Sequence, residues 1–144
     1  MNVPPQEILS APARPGQLNE LPGADQRGEF LRLLPKLRDI SGLTNHFAVC
    51  FTSSIEGEGT TTVAAQFAVS VAESGSGLRT LLVDGNLKNP NLHELLDLQL
   101  DPGLTEVCND GVPVKQAIQA TELYDLDVLT VGSFANQGAH YLNS

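Results

Sequence analysis

The stretch from residue 46 to residue 75, HFAVCFTSSIEGEGTTTVAAQFAVSVAESG, constrains the fold more than any other. It opens with a short apolar run that ends in Thr52, Ser53 and Ser54. A run of that length without polar alternation predicts a strand covered on both faces, as in a parallel sheet. Gly57 and Gly59 follow, and then residues 60–74, where Val63, Ala64, Ala65, Phe67, Ala68, Val69, Val71 and Ala72 leave almost no polar face. A helix apolar nearly all round belongs at the centre of a domain. SGSG at 74–77 ends it. RTLLVDG at 79–85 and LDVLTVG at 126–132 read as two more buried strands, with short helices at NLHELL and within 103–119. Strands alternating with helices predict an α/β layered fold with a largely parallel sheet. Strands 47–53 and 79–84 should run parallel as neighbours or near-neighbours, with helix 60–74 packed on them.

The 144 residues suffice for one domain with a core. A formal net charge of −9 argues against a nucleic-acid partner, because phosphate contacts need clustered Lys and Arg. Cys50 and Cys108 lie far apart, and the three His are scattered, so no metal-ligand spacing arises. Cys50, inside an apolar run, reads as a small buried hydrophobe. Residues 1–26 are interrupted by Pro4, Pro5, Pro12, Pro15 and Pro22 and read as a disordered N-terminal segment. From residue 27 the texture changes: Phe30, Leu33, Leu34 and Leu37 recur at helical spacing, and Pro35 shortens or kinks that helix. Its simplest role is to dock on the domain. No signal peptide or membrane-length apolar run is visible, so the expected location is cytoplasmic.

A loop that cradles phosphate needs glycines that let backbone N–H groups converge, a helix N-terminus behind them, a Lys for the outer phosphates and a hydroxyl for Mg²⁺. The usual GxxxxGK[ST] pattern aligns here with residues 54–61, SIEGEGTT. Gly59 is in place and Gly57 is an additional glycine; Thr61 supplies the hydroxyl, and Thr60 stands where the Lys belongs. Gly57, Glu58, Gly59, Thr60, Thr61 and Thr62 are thus the candidate nucleotide-binding residues. Asp84 closes the strand in LLVDGNLKNP, at the edge where ligands of open α/β sheets sit. It is the candidate catalytic base and, with Thr61, the candidate metal ligand. Its alternative role is to cap the segment that follows.

The succession of SSxxGEGxTT, VDGNLKNP, HELL, PGLTEV and LDVLTVG resembles the cytoplasmic domain of the bacterial protein-tyrosine kinases (BY-kinases) of capsule and exopolysaccharide export. The resemblance covers residues 27–144. It implies a P-loop fold that takes ATP or ADP with Mg²⁺, and Asp84 as the group that receives the tyrosine proton. It also implies a separate membrane protein that sets polysaccharide chain length as partner, at the inner membrane. Self-association would run through 27–38, where the family carries ExxRxxR.

Several positions depart from the family pattern. Thr60 replaces the Lys, Asn86 replaces a second acid, Lys88 replaces an Arg, and Pro35 replaces the second Arg of ExxRxxR. The Walker B strand that normally follows LDVLTVG does not appear before Ser144, and the tyrosines are limited to Tyr124 and Tyr141. The domain is therefore expected to be incomplete at its C-terminus. The expected function is a degenerate, weakly nucleotide-binding regulatory or binding module. The alternative is an active tyrosine autokinase whose missing elements come from an absent C-terminal part or a partner chain.

Overall fold

The computed structural model describes residues 18, 21, 27–41 and 46–133. The chain forms α1 (Arg27–Leu31), α2 (Leu33–Ser41), α3 (Thr60–Glu73), β1 (Thr80–Val83), α4 (Leu92–Leu96), α5 (Leu104–Asn109), α6 (Val114–Ala117), β2 (Ile118–Ala120) and β3 (Leu126–Leu129). The strands make a sheet in the order β1-β3-β2. β1 and β3 are parallel, with Leu82 opposite Val128, and β2 joins antiparallel, with Gln119 also opposite Val128. The α/β architecture and the helix at 60–73 match the expectation. β2 was not foreseen: it is three residues long and lies inside a stretch read as helical.

α3 is central because both of its sides are covered. Residues 65–71 are all buried. Ala65, Ala68 and Val69 meet Leu126 and Val128 of the sheet, together with Leu92, Leu96 and Leu98. Phe67 and Val71 instead meet Leu34, with Phe30, Leu37, Phe47, Phe51 and Leu78 packed around them. The rings of Phe30 and Phe67 meet edge to face at 6.2 Å. The break between α1 and α2 falls at Arg32, so Pro35 occupies the first turn of α2, where its missing N–H costs nothing. The apolar side of residues 27–38 is therefore spent on the chain's own α3. Glu29 and Arg32 form an exposed ion pair at 3.3 Å, of little energetic weight.

Three expectations need correction. Leu18 and Leu21, placed in a disordered segment, are buried against α3, and the Gln66 Nε2 donates to the Leu21 carbonyl at 2.9 Å. The rest of 1–26 lies outside the described residues. Residues 46–53 form no strand, since no backbone hydrogen bond ties them to a neighbour among the described residues. A strand exists only by virtue of its ladder; this run packs on the α3 cluster through its Phe47 and Phe51 side chains. Cys50, on that unladdered run, is exposed rather than buried.

At the far end of β3 the packing is tight. A Cβ on Gly103 would meet the Gly132 backbone N at 2.4 Å, so α5 begins directly against the chain leaving the sheet. Glu106 joins the two. It accepts from the Gly103 N–H at 2.7 Å and from the Ser133 N–H and hydroxyl at 2.9 and 2.8 Å. Burial pushes the Glu106 carboxyl up, but these hydrogen bonds outweigh it and hold the group below its ordinary value.

Candidate functional site

The loop between residue 53 and α3 is shaped by its glycines. Gly57 and Gly59 have φ of +86° and +83°, left-handed values that other residues adopt only with strain. The Glu58 carboxylate turns back and accepts the N–H groups of Ser54 and Ile55, at 3.2 and 3.3 Å. Its side chain thus orders the loop rather than facing a ligand. α3 starts at Thr60 with no side-chain cap, and its first bond runs from the Val63 N–H to the Gly59 carbonyl. The N–H groups of Thr60, Thr61 and Thr62 therefore project beyond the helix start, where the helix dipole favours an anion.

Thr60 and Thr61 border a cavity of about 870 Å³ that also reaches Ser53, Asp84, Gly85 and Asn86. The fold thus brings Thr60, Thr61 and Asp84 to one end of one cavity. Gly57, Glu58 and Gly59 lie exposed on the loop, and Thr62 is half-buried in the first turn. Asp84 is 7% exposed. Its Oδ1 accepts the Asn86 N–H at 3.0 Å, and its Oδ2 accepts the Leu92 N–H at the start of α4, at 3.2 Å. Asp84 is therefore a turn and helix cap, whatever else it does. Each carboxylate oxygen retains a second lone pair, so capping does not exclude a cation.

The 84–91 turn is organised by Asn86. Its Oδ1 accepts from the Lys88 and Asn89 N–H groups, and its Nδ2 donates to the Asn89 carbonyl. The Asn89 side chain in turn donates to the Glu56 carboxylate, tying this turn to the glycine loop. The sequence carries no signal for that tie: Asn89 is marked only by lying three residues after Asn86, and Glu56 lies 33 positions away from it. Lys88 is exposed and does not line the cavity. The Lys or Arg that does is Arg79, engaged with Asp127 at 3.2 Å. It sits before the start of β1, about 16 Å along the strand from Asp84.

The residues fit a phosphorylated ligand. Glycine-loop amides and the α3 dipole suit phosphate oxygens. One hydroxyl (Thr61) and one carboxylate (Asp84) at the same end suit Mg²⁺, which takes few protein ligands and completes its shell with phosphate and water. No cluster of three His, Cys, Asp or Glu exists among the described residues, so a dedicated protein metal cage is not present there.

No family model matches the chain. It is 38% identical over 97 residues to the tyrosine-protein kinase YwqD of Bacillus subtilis, a match spanning 67% of this chain and 40% of that protein. To the putative tyrosine-protein kinase CapB of Staphylococcus aureus it is 29% identical over 85 residues, 59% of this chain and 36% of the other. The crystal structure of the chimerical protein CapA2B2 superposes with a TM-score of 0.66 at 28% identity, over 94% of this chain and 66% of that one. The chain thus spans at most about two-fifths of the length of these curated relatives. Sequence and fold agree: this is a P-loop domain of the bacterial tyrosine-protein kinase type.

Proposed function

We propose that the chain is a degenerate tyrosine-kinase-like P-loop domain, acting as a nucleotide-responsive regulatory or binding module in capsular or exopolysaccharide biosynthesis and export. The observation that carries this reading is that, among the described residues, no Lys or Arg borders the phosphate end of the cavity. Thr60 stands there, and Arg79 is at the other end, paired with Asp127. Phosphoryl transfer relies on positioning and on neutralising charge at the transferring group. In this site the loop amides and the α3 dipole would hold phosphate and the Thr61 hydroxyl and Asp84 carboxylate would hold Mg²⁺, which would screen phosphate charge. Asp84, which lines the cavity, would be the carboxylate that takes the proton of an incoming hydroxyl. Nothing on the described residues then supplies the positive charge of the missing Lys.

A second reading is an active tyrosine autokinase completed by a further segment or a partner chain. It is favoured by the coverage of YwqD, which leaves three-fifths of that protein unmatched. In both readings the partner is a membrane polysaccharide chain-length regulator met on the cytoplasmic side. The exposed side of residues 27–38, with Arg32, Leu33 and Lys36, is the contact surface left after self-docking. The test incubates the chain with labelled ATP, Mg²⁺ and a tyrosine-rich acceptor peptide, beside an Asp84→Ala control. No transfer is expected. Label on the acceptor that vanishes in the control would replace the degenerate reading with the active one.

A further inference from the structure

Two carboxylates flank Gly57, and the structure uses them differently. The Glu58 carboxylate bends back over three and four residues onto the N–H groups of Ile55 and Ser54. The Glu56 carboxylate leaves the loop and accepts the side-chain N–H of Asn89, 33 positions along the chain. An ionised carboxylate is an acceptor only, and each takes a donor within its reach. Further donors remain in the same loop. No protein acceptor meets the N–H groups of Gly59, Thr60 or Thr61 among the described residues. The α3 dipole draws negative charge toward them. Glu58 shows the reach of a glutamate here, and the same span taken forward from Glu56 ends at Gly59 and Thr60. A Glu56 side chain released from Asn89 therefore has donors to take, and they are those on which a phosphate oxygen would sit. Its tethered charge would compete with the phosphate for those donors and repel it as well.

Asn89 is suited to hold Glu56 away, because the backbone that carries it is fixed without its side chain. The Asn86 Oδ1 accepts the Asn89 N–H at 3.1 Å, and the Asn86 Nδ2 donates to the Asn89 carbonyl at 2.8 Å. Asp84 anchors Asn86 in turn, accepting its N–H at 3.0 Å. The Asn89 side chain has one hydrogen bond among the described residues, the one to Glu56.

We propose that Asn89 is a positioning residue that holds the Glu56 carboxylate off the amides of the glycine loop and so keeps them open to phosphate. The consequence for ligand rests on the phosphate-site reading, and one arm of the test needs no ligand. In that arm, amide hydrogen exchange at Gly59 and Thr60 is followed in the wild-type chain, Asn89→Ala, Glu56→Ala and the double variant. Losing a hydrogen bond ordinarily loosens a loop and speeds exchange. Asn89→Ala should do the opposite: exchange at Gly59 and Thr60 should slow about fivefold as Glu56 caps them, the effect of a typical capping bond. Asn89→Asp, which keeps the shape and loses the donor, should slow them likewise. Glu56→Ala and the double variant should show no slowing. Unchanged or faster exchange in Asn89→Ala and Asn89→Asp, or slowing that persists in the double variant, would overturn the proposal.

The second arm is calorimetry with ADP·Mg²⁺. Asn89→Ala should bind about fivefold more weakly than wild type, while the double variant binds no more weakly than Glu56→Ala. The deficit of Asn89→Ala should shrink as salt rises, because the freed carboxylate acts by its charge. An equal loss from Asn89→Ala with and without Glu56 would make Asn89 a structural residue of its turn and overturn the proposal. A wild-type chain that binds no ADP·Mg²⁺ would sink the nucleotide reading alone, and the exchange arm would still decide where Asn89 holds Glu56.

Discussion

Thr60 brings a hydroxyl to the place where an ammonium would meet phosphate charge. A charge-assisted contact contributes about 1.5–3 kcal/mol, so Thr60→Lys should tighten ADP·Mg²⁺ binding roughly ten- to a hundred-fold by calorimetry. An unchanged constant would mean that the loop does not present this position to the ligand. Asp84 makes a different case, since it caps a turn and a helix irrespective of ligand. Asp84→Ala leaves the Asn86 and Leu92 N–H groups without their acceptor and should cost about 0.5–2 kcal/mol in urea unfolding without nucleotide. A neutral result would show that the cap contributes nothing to stability. The residue types at this site were readable because each has a distinct job: glycine at left-handed φ, hydroxyl at the helix start, carboxylate at a strand end. The capping geometry was not readable, because Asp84 reaches a residue eight positions along the chain.

Among the elements, those that formed as read are those with complete local support. α3 has an apolar surface on both sides, a left-handed glycine before it and SGSG after it. β1 and β3 pair with each other as read, although only one side of β1 is covered: Leu81 and Val83, read as part of a buried strand, stay exposed. The run 46–53 has equal apolar character, but its ladder needs a neighbour that sequence periodicity cannot reveal. β2 escaped notice because three residues hold no period, and its Gln119 is buried only because its side chain bonds both the N–H and the carbonyl of Gln99. Glu106 shows the same reliance on distant partners, since it joins α5 to the chain leaving β3. Its depressed pKa means that its carboxylate stabilises the fold fully above its unfolded-state value, ordinarily 4.5, and that this contribution is lost as pH falls through the lower folded value. Unfolding curves from pH 7 downward should therefore show a decline below the ordinary carboxylate range that is shallower in Glu106→Gln. Parallel decline in both proteins would show that other carboxylates carry the acid sensitivity.

At the scale of the whole molecule, the proposed phosphate site and the core share one element. The first turn of α3 borders the cavity, while its middle and end hold both apolar clusters together, one against the sheet and one against α1 and α2. A ligand on that first turn should thus oppose global unfolding rather than only quiet a loop. Binding to the folded state alone adds RT ln(1 + [L]/Kd), about 1.4 kcal/mol at ten times Kd. For a domain of this size each kcal/mol moves the midpoint by about 4 °C, so ADP·Mg²⁺ at that concentration should raise Tm by about 5 °C. AMP, which lacks the β-phosphate that the loop amides would hold, should raise it much less, and Thr60→Lys should enlarge the ADP shift at equal concentration. An equal shift with AMP would place binding on the nucleoside rather than on the loop. No shift with ADP at millimolar concentration would show that the glycine loop has kept its shape without its ligand.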